Sequence, residues 1–269
     1  MACAKAEKFL ALRRARRVWA VGSIHGCANQ LRELHERLSD RLIKGDKIVY
    51  LGNFIGAGAE IADTLDELLL FRRTLLALPG GFVCDVVFLR GSQEEIFAKL
   101  MQLHLAINPP EVLEWMLPRG LAATLKGYDQ DIALLSSSAR SGARYIARWL
   151  NDFRAFVQDR HPGHLELMSA LRRAAYTSEG TLLFVHAGID PERPLETQGD
   201  RLWWGNAGNW PPARPYSGYK RVIRGFDRAH PGLVVEDHSA TVDGGAGFGG
   251  SLIAACFDQK GRLADQVTV

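Results

Sequence analysis

The sequence VGSIHGCANQL, Val21–Leu31, follows the short apolar run Val18–Val21 and precedes leucines at helical spacing. A buried strand that leads into a glycine-flanked polar turn and then a helix is where α/β enzymes usually place reactive groups. Ser23 and His25 lie in this turn, so one interpretation makes Ser23 a nucleophile beside a histidine. The turn lacks the G-x-S-x-G spacing of a nucleophile elbow. The other interpretation is that Ser23 occupies the position of a metal-binding carboxylate.

Short apolar runs predict five buried strands of a mixed sheet. They are Val18–Val21, Lys47–Leu51, Val86–Leu89, Thr181–Val185 and Lys220–Ile223. The first four each end in a glycine-containing turn. Apolar residues at helical spacing lie between the first three strands, which predicts strand–helix–strand alternation in the N-terminal third of the chain.

The remaining patterns divide the chain into regions. Residues 93–176 show several helical patterns and no convincing strand, which predicts a helical insertion between two halves of the sheet system. After residue 181, short apolar runs separated by glycines predict a largely β half. We therefore expect a single α/β domain over residues 18–269, preceded by a basic N-terminal segment, residues 1–17.

Composition excludes several classes of protein. The chain has 269 residues, of which 47% are apolar and 23% charged, and no apolar run approaches the ~20 residues of a membrane-spanning helix. The four cysteines are far apart and form no C-x-x-C pair, which favours a reducing compartment. A net charge of +3 is too small to indicate nucleic-acid binding. We expect a soluble, cytoplasmic protein that binds neither membranes nor nucleic acid.

The glycine-flanked turns carry a more specific signal. They are GSIHG (22–26), GNFIGAG (52–58), GSQEE (91–95) and HAGID (186–190), with DGGAGFGGSL (243–252) near the C-terminus. In order, glycine framework and spacing they resemble the signature turns of the calcineurin-like metallophosphoesterases, in the branch of Ser/Thr protein phosphatases and symmetrical dinucleoside-tetraphosphate hydrolases. The resemblance spans about Val18–Phe257. It implies an α/β sandwich of two mixed β-sheets flanked by helices.

The resemblance also implies six metal-ligand positions. Two of them keep the family's residue type, at His25 and His186. The other four are substituted, at Ser23, Asn53, Ser92 and Phe226. Ser23 and Asn53 replace the two carboxylates, and Asn53 stands at the position that bridges both metals in the family.

Other positions that serve the reaction in the family are changed as well. Gln93 stands where the family has the histidine that acts as general acid, and its amide cannot supply a proton. Gly56 and Ala57 replace an Asp-Arg pair, and Gly205 of LWWG replaces a second arginine. The guanidinium groups that would hold a phosphoryl group are therefore missing.

Two divalent cations can share a site only where anionic ligands offset their charge. The substitutions therefore predict a catalytically inactive pseudophosphatase, retained for binding or regulation. The alternative is an active phosphoesterase, acting on phosphoproteins or dinucleoside polyphosphates, with a rearranged and mononuclear metal site. His25 and His186 would be its residual ligands, with His230 as a candidate third.

We expect no cofactor, or at most one divalent metal ion: Zn, Mn or Fe. The candidate partners are a phosphopeptide, a nucleotide or a regulatory protein, and the first two could bind to backbone amides at the strand-to-helix turns. Trp203, Trp204 and Trp210 either stack on a nucleobase or pack beneath the loop WPPARP. Glu94 and Glu95 either supply charge to the crevice or stabilise a helix N-terminus, and we favour the helix.

Overall fold

A computed structural model describes residues 8–79, 81–205 and 210–269. Residues 1–7 of the predicted N-terminal segment, with Cys3, lie outside the described residues. The strands are β1 Phe9–Leu12, β2 Arg17–Val21, β3 Lys47–Tyr50, β4 Val86–Phe88, β5 Ala174–Thr177, β6 Leu182–Val185, β7 Arg221–Arg224, β8 Gly232–Val235, β9 Ser239–Asp243, β10 Ile253–Asp258 and β11 Leu263–Thr268. The helices are α1 Ala28–Ser39, α2 Ile61–Ala77, α3 Ser92–Leu100, α4 Pro109–Met116, α5 Leu121–Lys126, α6 Ile132–Ser141, α7 Ala143–Arg160, α8 His164–Ala170 and α9 Arg201–Trp204.

The strands form two mixed sheets. One has the order β11-β10-β2-β3-β4, with β2, β3 and β4 parallel and β10 antiparallel to β2 and β11. The other has the order β1-β5-β6-β7-β9-β8, with β6, β7 and β9 parallel. The predicted α/β sandwich of two mixed sheets flanked by helices is confirmed.

Alternating side chains of the strands build the layers on either side of each sheet. Val18, Ala20 and Val49 face the second sheet and pack with Phe184 and Ile223 in the core between the sheets. The other face of the first sheet packs against α1, α2 and the helices that follow β4 in one large apolar cluster. Because both faces of the central strands are buried, their sequences are continuously apolar rather than alternating.

Each of the five predicted strands is present within one residue of its predicted ends. Two strands were not predicted. β1 lies in the predicted basic N-terminal segment, and β5 begins inside the predicted helical insertion, whose helices end at Ala170. β1 and β5 are each four residues long and pair with each other in parallel. Strands this short show no periodicity that distinguishes them from a loop, so their pairing is a tertiary effect.

No helix among the described residues combines the length and the apolar character needed to cross a bilayer.

Candidate functional site

The glycine-flanked turns meet in a crevice at the carboxyl ends of parallel strands, and main-chain hydrogen bonds connect these turns. The amides of Ile24 and His25 donate to the carbonyl of Asn53, at 2.9 and 2.7 Å. Further along the crevice, the amide of Ser23 donates to the Gly225 carbonyl at 3.1 Å. The amide of Gly225 donates to the His186 carbonyl at 2.9 Å. Main-chain hydrogen bonds therefore join the turns that follow β2, β3, β6 and β7.

The turns after β3 and β4 approach so closely that glycine is required. Gly52 has a φ of +94°, and a Cβ placed there would lie 2.6 Å from the amide nitrogen of Gly91. The buried carboxylate of Glu94 joins the same two turns, because it accepts the amides of Gly91, Asn53 and Phe54 at 2.8, 2.9 and 2.7 Å. Burial raises the pKa of Glu94 above its usual range, although the hydrogen bonds from the three amides oppose this increase. Glu94 is thus both a residue of the first turn of α3, as favoured above, and a link between two turns.

His186 is fully buried and has one nitrogen without a partner. Its Nδ1 lies 2.7 Å from the Leu51 carbonyl, which can only accept, so Nδ1 carries the proton. Nε2 is therefore an unprotonated acceptor, and it has no hydrogen-bond partner among the described residues. Burial lowers the pKa of His186 to about 4. The imidazole is neutral at physiological pH and keeps a free lone pair inside the crevice.

His25, Asn53 and Ser92 form a neutral hydrogen-bonded chain across the crevice. The Oδ1 atom of Asn53 accepts the Ser92 hydroxyl at 3.1 Å and the Gln93 amide at 3.0 Å. Its Nδ2 atom therefore faces Nε2 of His25, at 3.3 Å, and donates to it. Burial, together with the neighbouring His186, lowers the pKa of His25 to about 3. Both His25 and Asn53 have positive φ, 54° and 56°, a conformation that asparagine tolerates better than most residues.

The two remaining substituted positions are also occupied by groups that carry no charge. The hydroxyl of Ser23 donates to the Gly225 carbonyl at 2.8 Å and so turns towards the backbone. The ring of Phe226 stacks on His186, with centroids 5.5 Å apart and planes 11° apart. The imidazole ring of His25 meets the same Phe226 ring edge-on, with centroids 6.2 Å apart. Apolar surface thus covers the residual histidines.

His230 points at a carboxylate rather than at the other two histidines. Its Nδ1 lies 2.9 Å from Oδ2 of the buried Asp243, and its ring stacks on Phe248 at 4.8 Å. The described residues hold one group of three side chains whose potential metal-ligating atoms all lie within 4.8 Å of one another, and His25, His186 and His230 are not that group. The assignment of His25 and His186 as residual ligands stays a prediction.

Gln93 lies across the space between two glycine-containing loops. A Cβ added at Gly56 would lie 2.6 Å from its Cγ, and one added at Gly120 would lie 2.8 Å from its Cδ. The absence of a side chain at Gly56 therefore makes room for the Gln93 side chain. Gln93 packs at the mouth of the crevice as a neutral amide.

A pocket of about 720 Å³ opens beside the crevice, between Phe226 and helices α4 and α5. These two helices belong to the helical region, which runs from α3 to α8. The walls of the pocket include five aromatic residues and two arginines: Trp115, Trp203, Trp204, Phe226, Phe248, Arg119 and Arg228. We call this the aromatic pocket. Among the described residues that line it, none is acidic. Arg119 lies over the ring of Trp115, 4.8 Å from its centroid, and Trp115 meets Trp204 edge-on at 6.0 Å.

Sequence reasoning identified only part of this pocket. Trp204 lines it, and so does Trp203, which is otherwise buried in the core, whereas Trp210 lies under Arg224 at 4.3 Å. Trp115 and Arg119 come from the helical region, and the sequence did not predict them as site residues. Their helical pattern is that of ordinary amphipathic helices, so no local signal distinguishes them.

Comparisons with known proteins support the fold. No sequence model of a protein family and no curated protein sequence matches the chain. A solved structure assigned as a diadenosine tetraphosphatase superposes with a TM-score of 0.56 at 19% identity, over 97% of each chain. A cold-active protein tyrosine phosphatase gives 0.50 at 11% identity, over 96% of this chain and 80% of that one. A Ser/Thr phosphatase from Saccharomyces cerevisiae, with similarity to human phosphatase PP5, gives 0.49 at 14%, over 97% and 82%.

The chain has the fold of the calcineurin-like metallophosphoesterases, as the turn motifs predicted, and its structural relatives are phosphoesterases. At these identities, the structural likeness establishes the fold alone. The chemistry of the crevice depends on the residues that line it.

Proposed function

We propose that the chain is a catalytically inactive metallophosphoesterase-fold protein that binds a nucleotide in the aromatic pocket. The observation that carries this proposal is the neutral crevice. Ser23 and Asn53 stand at the two carboxylate positions, and their side chains are engaged in hydrogen bonds with Gly225 and with Ser92 and His25.

The residues of the crevice do not fit a two-metal centre. Two divalent cations bring four positive charges, and the substituted positions offset none of them. The amide Nδ2 of Asn53 donates towards His25, so it presents hydrogens where a bridging ligand presents lone pairs. Phe226 covers His186 at the position of the last ligand. We therefore derive no hydrolytic step through a pair of metals.

The aromatic pocket supports a ligand that has both a flat ring and negative charge. Trp115, Trp204 and Phe248 offer surfaces on which a nucleobase can stack. Arg119 and Arg228 offer guanidinium groups, which bind phosphate oxygens in a bidentate manner. A nucleotide combines both properties, whereas a phosphopeptide needs the charge but not the flat ring.

We expect ATP and ADP to raise the unfolding temperature of the chain, and Arg228→Ala to weaken nucleotide binding about tenfold through loss of a charge-assisted contact. Calorimetric titration measures the affinity. Arg148→Ala, at an exposed position on α7, is the matched control and should bind as the unmodified chain does. Stabilisation by phosphopeptides but not by nucleotides, or equal affinity in both arginine variants, would contradict the proposal.

The free lone pair of His186 favours a second candidate function, that of a phosphoesterase with one divalent metal. A buried imine nitrogen without a partner is what a metal ligand presents when no metal is bound. Metal analysis of protein purified without chelator, together with hydrolysis of an aryl phosphate in the presence of manganese, separates the two functions. Stoichiometric metal and turnover that His186→Ala abolishes would favour the enzyme and overturn the inactive assignment.

A further inference from the structure

A second cluster of ligand-type side chains belongs to none of the turns of the crevice. Asp66 lies in α2, His161 follows the last residue of α7, and His164 begins α8. One potential ligand atom from each residue lies within 4.8 Å of the other two. The cluster therefore spans the contact between α2, which packs on the first sheet, and the end of the helical region.

Two of the three ligand atoms already have the spacing of a metal site. Nε2 of His164 lies 3.1 Å from Oδ1 of Asp66. Zinc bonds to nitrogen and oxygen are ~2.0–2.2 Å long, so neighbouring ligands of a tetrahedral zinc lie roughly 3.3 Å apart. The rings of His161 and His164 stack with centroids 5.2 Å apart and planes 19° apart. His161 is half-buried at the start of a loop, and one of its ring nitrogens lies within 4.8 Å of a ligand atom of each of the other two residues.

Tyr128 orients the buried member of the cluster. Its hydroxyl lies 2.9 Å from Nδ1 of His164, which is fully buried. When Nδ1–H donates to the phenol oxygen, Nε2 presents its lone pair towards Asp66. Metal-binding histidines in proteins are held in this way, by a partner on the other ring nitrogen. In the absence of a metal, a proton on Nε2 donates to Asp66 instead.

We propose that Asp66, His161 and His164 bind one zinc ion, with water as the fourth ligand. Zinc takes the place of the Nε2 proton between His164 and Asp66. That proton moves to Nδ1 of the neutral imidazole, where it donates to the Tyr128 hydroxyl oxygen, so His164 keeps one proton throughout. Two imidazoles and one carboxylate are a ligand set that suits zinc, whereas magnesium and calcium prefer oxygen ligands alone. The bound ion links the start of α8, at the end of the helical region, to α2.

The test is a calorimetric titration of the full chain, freed of metal by chelation and dialysis, with zinc chloride and separately with magnesium chloride. We expect one equivalent of zinc, no magnesium binding, and a higher unfolding temperature with zinc. Asp66→Asn keeps an acceptor for His164 but removes the anionic ligand, and it should abolish this binding. Asp63→Asn, an exposed position on the same helix, is the matched control and should bind one equivalent.

Two further variants identify the site. Tyr128→Phe should weaken zinc binding about 10- to 100-fold, as loss of an outer partner does at known metal sites. Tyr145→Phe, at an exposed position on α7, should leave the affinity unchanged. Absence of zinc binding, or equal zinc binding in Asp66→Asn and Asp63→Asn, would overturn the proposal. So would loss of zinc binding in His186→Asn together with unchanged zinc binding in Asp66→Asn. The last result would place the metal in the crevice instead.

Discussion

Restoring the four substituted ligand types, by Ser23→Asp, Asn53→Asp, Ser92→Asn and Phe226→His, is expected to give a chain that binds two divalent cations. The reason is the charge of the crevice. The four changes supply two carboxylates, an amide oxygen and an imidazole, and they remove the ring that covers His186. Metal analysis after dialysis against manganese chloride counts the ions, and thermal unfolding with and without manganese measures their effect on stability.

The matched control isolates the charge from the shape. The same combination with Ser23→Asn in place of Ser23→Asp, and with Asn53 left unchanged, has ligands of similar size and no carboxylate. We expect it to bind no manganese pair. Equal metal content in the two combinations, or none in either, would show that the turns are not placed as the motif alignment requires.

The free energy of unfolding is expected to decrease steeply as the pH falls from about 6.5 towards 4. Burial lowers the pKa of His25 to about 3 and that of His186 to about 4, while histidines of an unfolded chain titrate near ~6.5. Between these values, the unfolded chain binds protons that the folded chain does not, so acid favours unfolding. In this range each histidine lowers the free energy of unfolding by about 1.4 kcal/mol per pH unit of acidification. Above neutral pH neither state binds these protons, so the free energy of unfolding no longer changes through them. Urea unfolding at several pH values measures the slope.

His25→Asn isolates one of the two contributions. Asparagine tolerates the positive φ at this position, so the turn can form without a titrating side chain. Between pH 6 and 4.5, the variant should lose about 1.4 kcal/mol less per pH unit than the unmodified chain. Burial also lowers the pKa of His35 and His164, and their contribution is the same in both proteins. An identical slope would mean that His25 is not a buried neutral imidazole.

The sequence predicts the central strands and the positions of the turns because glycines and buried apolar runs are local signals. Gly52 and Gly91 must be glycines for their turns to touch, and this constraint persists when the ligand side chains are replaced. The strands β1 and β5 were missed because each is short and depends on its partner. Trp115 was missed as a wall of the aromatic pocket for a related reason, since it joins Trp204 and Phe248 only when three distant parts of the chain pack together.

The three metal-ligating side chains near α8 illustrate the same limit. His161 and His164 are close in sequence, but Asp66 is almost a hundred residues away and on an ordinary helix. No pattern within either segment indicates the other. Their proximity follows from the packing of α8 on α2, which only the tertiary structure provides.

The carboxylate of Glu94 has a consequence for how this fold can change over time. It binds three main-chain amides, and main-chain hydrogen bonds also join the turns that follow β2, β3, β6 and β7. These contacts support the frame of the crevice without the side chains of Ser23, Asn53 or Phe226. Mutations at those positions change what the crevice can bind while its shape persists. The same scaffold can therefore exchange catalysis for recognition one substitution at a time, and each intermediate sequence still folds.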